Sequence, residues 1–156
     1  MGFGMGIMVA LFDISKGYIS VVLAQYIVGS NPLIIILAGL AAIAGHNWSL
    51  FLNFNGGRGV ATSVGVLINL LPQTVLVAFF VWLVIVLTMR YVSLGSIVGA
   101  LLIPILAFLL NRPLPYVGLG LAIAVFVIYR HRPNIKRLLR GEEKKIGWNI
   151  DVEQNE

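Results

Sequence analysis

Four short stretches of this chain combine residue types that handle anions. The first is Gly56-Gly57-Arg58-Gly59, which opens an apolar stretch. Glycine-rich backbone at a helix start presents several N–H groups to an anion, and the helix dipole and a guanidinium add favourable charge. The same run also suits a plain turn between two helices. It lacks the GxxxxGK[ST] pattern, so nucleotide hydrolysis is not suggested. The second stretch is Arg130–Lys145, RHRPNIKRLLRGEEKK, in which His131 and Asn134 lie three apart. On a helix starting near Pro133 they share a face if helical geometry begins early enough. Ile135, Leu138 and Leu139 would then face the membrane surface, and Lys136, Arg137 and Arg140 water or headgroups. That pattern fits an amphipathic anchor as well as a substrate site. The third is Asp13 with Lys16, one helical turn apart, which can pair inside an apolar segment for architecture or for substrate. The fourth is Arg90-Tyr-Val-Ser-Leu-Gly-Ser96. Here Ser93 and Ser96 could donate to phosphate, or Ser96 could cap a helix.

Other chemistries are excluded or disfavoured. There is no cysteine, which removes disulfides and thiolate-ligated metals. The two histidines, His46 and His131, lie far apart with no HExxH pattern, so no metal site and no cofactor are expected. Seven of the eleven Lys and Arg residues lie at or after position 130. After an apolar span, such a cluster reads as a topology signal and an attraction to anionic lipid, not as nucleic-acid binding. The opening MGFGMGIMVALFD has no basic n-region and no small-residue cleavage site, so it does not read as a secretory signal peptide.

The elements that must position these residues are membrane helices. Of 156 residues, 59% are hydrophobic and only 11% charged, and the mean hydropathy is +0.96. A soluble domain carries about a quarter charged residues. The predicted fold is an all-α, polytopic helical bundle of about six segments: Phe3 to Val28, Pro32 to Gly45, Gly59 to Leu71, Gln73 to Met89, Leu94 to Leu110, and Leu114 to Tyr129. The second and third are short for a crossing of about 20 residues. Pro32 and Pro72 sit at helix starts, and Pro104 is expected to kink the fifth segment. A transmembrane domain over 1–129 is thus followed by a basic tail over 130–156 that completes the site, its residues from Asp151 onward acidic and frayed. With that tail cytoplasmic, alternation puts the Arg90 turn and the Arg58 loop on the same side, and the Arg112 turn and residues 29–31 outside.

Taken together, the four stretches resemble the bacterial acyl-phosphate:glycerol-3-phosphate acyltransferases of the PlsY type. The match covers essentially the whole chain, in order and spacing. It comprises DxxKG (Asp13, Lys16, Gly17), GHxxxxFLxFxGGxGVAT (Gly45 to Thr62), RxxSLxSI (Arg90 to Ile97) and HRxNIxRLxxGxExK from His131 onward. No HxxxxD is present, since Phe51 follows His46 and Lys136 follows His131 at that distance, which argues against the acyl-CoA type. The resemblance implies a seven-helix membrane fold and transfer of a fatty acyl group from acyl phosphate to glycerol 3-phosphate. The products would be lysophosphatidate and phosphate, made at the cytoplasmic face of the bacterial inner membrane. It implies that Gly56, Gly57, Arg58 and Gly59 cradle a substrate phosphate and that Ser96, His131 and Asn134 line the same pocket. His46, Ser93, Asp13 and Lys16 would assist substrate binding. The implied partners are acyl phosphate, glycerol 3-phosphate, membrane lipids and the enzyme that makes the acyl phosphate. Two departures stand out. Arg58 replaces the usual lysine and Asn55 a frequent basic residue. In addition, the chain begins immediately before the DxxKG helix, so the family's first helix and its GSGNxGATNxxR loop have no counterpart in these residues. The alternative expectation is an N-terminally truncated or inactive relative that binds lipid or acyl phosphate without catalysis.

Overall fold

The computed structural model describes residues 3–48 and 56–147, with only the backbone of Phe3. Among these residues the fold is all α: α1 (Phe3–Val28), α2 (Pro32–Asn47), α3 (Val60–Leu70), α4 (Pro72–Met89), α5 (Val92–Leu109), α6 (Leu114–Arg130) and α7 (Arg132–Leu139). The six predicted segments are all present, and the tail adds the short seventh helix. Prolines set several starts, since a ring-locked φ suits the first turn and the missing N–H is not needed there. Pro32 is capped by Asn31, whose side chain accepts from the Leu33 and Ile34 N–H groups. Pro72 follows Leu71, a single residue that both ends α3 and starts α4.

Helix ends differ from expectation by one or two residues, and the difference matters at α5. α5 begins at Val92 rather than Leu94, with Tyr91 at the N-cap. Ser96 therefore does not cap the helix; it sits one turn inside, its hydroxyl donating to the Val92 carbonyl at 2.9 Å. Pro104 lies within α5, and the helix is continuous from Val92 to Leu109. Asn55 and the acidic stretch from Asp151 fall outside the described residues.

α1, α4 and α5 are long and apolar enough to cross a membrane, and the axes of α6 and α7 differ by 61°. The eleven residues of α3 rise only about 16 Å, half a hydrocarbon core. In lipid no hydrophobic driving force acts between helices, so packing relies on small residues that let backbones approach. A Cβ on Gly65 would lie 2.0 Å from the Ile14 carbonyl oxygen, and one on Gly17 2.2 Å from that of Thr62. α1 and α3 thus run side by side in the same direction, and Gln25 donates to Asn69 farther along the pair. α2 returns antiparallel against both. The α5–α6 contact closes at Gly120, whose Cβ would meet Ile103 at 3.0 Å. Val21, Ile35, Val66, Leu71, Leu119, Ile123 and Val127 fill the space between these helices.

Candidate functional site

The glycine-arginine run sits on the last turn of α2. A Cβ on Gly56 would fall 2.1 Å from the His46 carbonyl oxygen, and one on Gly57 2.4 Å from the His46 Nε2. Gly59, with φ +76°, would clash with the Asn47 amide at 2.4 Å. Three of the four positions are therefore glycine because another helix occupies the space a side chain needs, and Gly59 also because of its left-handed backbone. The Gly56 N–H donates to the Asn47 carbonyl at 3.1 Å. Beyond Gly59 the α3 N-terminus has no side-chain cap. Its first N–H groups lack intrahelical acceptors and carry the positive end of the helix dipole. Arg58 is exposed, and among the described residues no carboxylate pairs with it.

Asp13, Lys16 and His46 come together. The Asp13 carboxylate lies 2.7 Å from the Lys16 ammonium and 3.3 Å from the His46 Nδ1. The expected Asp13–Lys16 pair thus forms, with His46 as a third member that sequence spacing does not reveal. Asp13 stands ten residues along α1, so the loop and the α2 end are set back about 15 Å from the first residue of α1.

The α6–α7 junction lies beside the loop, since Arg130 reaches the Gly56 and Gly57 carbonyls. His131 caps the junction of α6 and α7 and is 1% exposed. Its Nδ1 lies 2.8 Å from the Val127 carbonyl oxygen, which holds the proton on Nδ1 and leaves Nε2 as an acceptor. Burial lowers the His131 pKa below 6.5; the nearby Arg58 guanidinium also lowers it, against the opposing pull of the Val127 carbonyl and Glu143. Arg58 and His131 thus share one electrostatic environment although 73 residues separate them in the chain.

Asn134, 2% exposed, does lie one turn from His131, as the spacing predicts. Its amide N–H donates to Glu143 Oε1 at 2.6 Å, and Arg137 Nε donates to Oε2 of the same carboxylate at 2.7 Å. Arg137 is therefore tied to Glu143 and does not simply face water or headgroups. Burial pushes the Glu143 pKa up, but the hydrogen bonds from Ser93, Asn134 and Arg137 outweigh it and hold the carboxyl below its ordinary value. An ionised carboxylate only accepts, so the Asn134 NH2 must point toward it and Oδ1 is left buried with no partner. Ser93 is 4% exposed beside this group. No hydrogen bond among the described residues joins Ser96 to the loop or to His131.

Two contributors were not singled out from sequence. Glu143 stands in the tail motif with no role that spacing alone assigns. Arg130, read as a topology charge, donates to the carbonyls of both Gly56 and Gly57, at 3.0 and 2.8 Å. Its partners lie more than seventy residues away, and no local pattern signals that.

Comparison with known proteins shows the family and the fold. The profile of the family described as glycerol-3-phosphate acyltransferase matches residues 1–141. Glycerol-3-phosphate acyltransferase 2 of Moorella thermoacetica is 51% identical over 94% of this chain and 75% of its own length. The glycerol-3-phosphate acyltransferase of Carboxydothermus hydrogenoformans is 44% identical over 91% of this chain and 71% of its own. The fold matches crystal structures of PlsY (YgiH), an integral membrane glycerol 3-phosphate acyltransferase, in two forms. For the glycerol 3-phosphate form the TM-score is 0.89, with 37% identity over 94% of this chain and 74% of that one. For the lysophosphatidic acid form it is 0.87, with 38% identity over 92% and 74%. The chain is a multi-pass integral membrane protein, and it belongs to the glycerol-3-phosphate acyltransferase family.

Proposed function

We propose that this protein acylates the 1-hydroxyl of glycerol 3-phosphate, using acyl phosphate as donor and releasing lysophosphatidate and inorganic phosphate. The observation that carries the reading is the convergence of an exposed arginine on a glycine loop with a buried neutral histidine. Arg130, next in sequence to the buried His131, ties that end of α6 to the Gly56 and Gly57 carbonyls and so sets the histidine beside the loop that carries Arg58.

The parts divide the substrate between them. Gly56–Gly59, the α3 N-terminus and Arg58 supply N–H groups and positive charge, which suit a phosphate dianion. His131 Nε2 and Asn134 Oδ1 are acceptors and suit the glycerol hydroxyls instead. That assignment moves His131 and Asn134 from the phosphate to the polyol end, because the His131 Nδ1–H and one N–H of Asn134 are already committed to Val127 and Glu143, while Nε2 and Oδ1 only accept. The substrate hydroxyl oxygen attacks the acyl carbonyl carbon, the bond from that carbon to the phosphate oxygen breaks, and the departing phosphate takes up the hydroxyl proton. Acyl phosphate is a mixed anhydride with a good leaving group, so orientation and charge stabilisation supply the acceleration without an enzyme nucleophile.

The tail over 130–156 faces the cytoplasm in this reading, together with the loop at Arg58 and the turn at Arg90, because basic connections stay on that side. The test is product formation by the purified protein in lipid discs supplied with labelled glycerol 3-phosphate. Lysophosphatidate should form with acyl phosphate and not with acyl-CoA. Product from acyl-CoA alone, or binding of acyl phosphate without turnover, would contradict the reading.

A further inference from the structure

The glycine-arginine loop is gripped from two helices that do not belong to it. From α6, the Arg130 guanidinium holds the carbonyl oxygens of Gly56 and Gly57. A peptide unit is planar and trans, so its C=O and N–H point in opposite directions. Turning these two carbonyls toward Arg130 turns the N–H groups of Gly57 and Arg58 away from it. From α2, the His46 ring packs on the Gly57 Cα, where its Nε2 would lie 2.4 Å from any Cβ. That ring is itself oriented from α1, because Asp13 holds its Nδ1 side at 3.3 Å and Lys16 holds Asp13 at 2.7 Å. Asp13 is 8% exposed and buried against its own partners.

We propose that Arg130 and the Asp13–His46 pair are positioning residues: they fix the loop backbone in the one conformation that presents the Gly57 and Arg58 N–H groups to phosphate. They act through the loop and do not touch substrate. This rests on the reading of Gly56–Gly59 as the phosphate cradle, and it reassigns Asp13, Lys16 and His46 from substrate binding to loop support.

The test compares steady-state kinetics of Arg130→Ala, Arg130→Lys and His46→Gln with Arg58→Ala in the full chain. Amide hydrogen exchange of residues 56–60 is measured alongside. Arg130→Ala should raise the KM for glycerol 3-phosphate by about tenfold or more, with a smaller loss in kcat and faster loop exchange. Added guanidinium ion should restore part of the loss, a response that a merely misfolded protein would not give. Should Arg130→Ala not fold, Arg130→Lys carries the test through an intermediate rise in KM. His46→Gln should shift KM in the same direction. A KM within about twofold of wild type for folded Arg130 and His46 variants, with Arg58→Ala strongly impaired, overturns the positioning role alone. Full activity of Arg58→Ala would instead remove the phosphate-cradle reading, and this proposal with it.

Discussion

Burial moves the His131 imidazole toward its neutral form, and that has a consequence for stability. The unfolded chain protonates this ring near pH 6.5, whereas the folded chain does so at lower pH. Between the two values the unfolded state binds more protons, so stability is fully present above pH 6.5 and is lost as pH falls below it. The wild-type melting temperature should therefore drop more steeply on acidification than that of His131→Asn. The ring's nuclear magnetic resonance shifts should titrate below 6.5, and a midpoint above 6.5 would contradict the assignment. Glu143 has the complementary role of aiming Asn134. Glu143→Ala frees that amide and leaves Arg137 unpaired, and it should cost roughly 1–3 kcal/mol in denaturant unfolding as well as activity. The candidate site was legible at the residue scale where partners are local or share one motif: Asp13 with Lys16, and His131 with Asn134. Glu143, Arg130 and the His46–Asp13 contact were not, because they depend on which helix ends meet in space.

At the scale of elements, apolar stretches bounded by Pro32, Pro72 and the Arg112-Pro113 turn locate the helices to within a few residues. Hydropathy could not reveal how they pack, since in lipid that is decided by a few glycines whose partners are distant. Gly65 faces the Ile14 carbonyl and Gly118 faces open space, yet both read as helical glycines in an apolar run. Gly65→Ala must force two backbones apart and should destabilise the protein by about 1–3 kcal/mol or more. Gly118→Ala should be neutral or slightly stabilising, because it only restricts the unfolded chain. Thermal unfolding of the two variants in the same detergent checks the contrast, and equal effects would count against the α1–α3 interface.

For the whole molecule, a single site requires the loop at Arg58, the turn at Arg90 and the tail at Lys145 to share one side of the membrane. The Ile146 N–H already donates to the Arg90 carbonyl at 2.9 Å, which joins tail and turn directly. Because the chain contains no cysteine, single substitutions report sidedness without background. Lys145→Cys should react with an impermeant thiol reagent only in inside-out vesicles, and Ser30→Cys only in right-side-out vesicles. Whether the loop and the tail form one site is tested by a double-mutant cycle on kcat/KM for acyl-phosphate-dependent lysophosphatidate formation. Arg58→Ala and His131→Ala should each lower kcat/KM by about a hundredfold, and the double variant should fall well short of the product of the two losses. Strictly multiplicative losses, or a single variant with wild-type activity, would contradict the account.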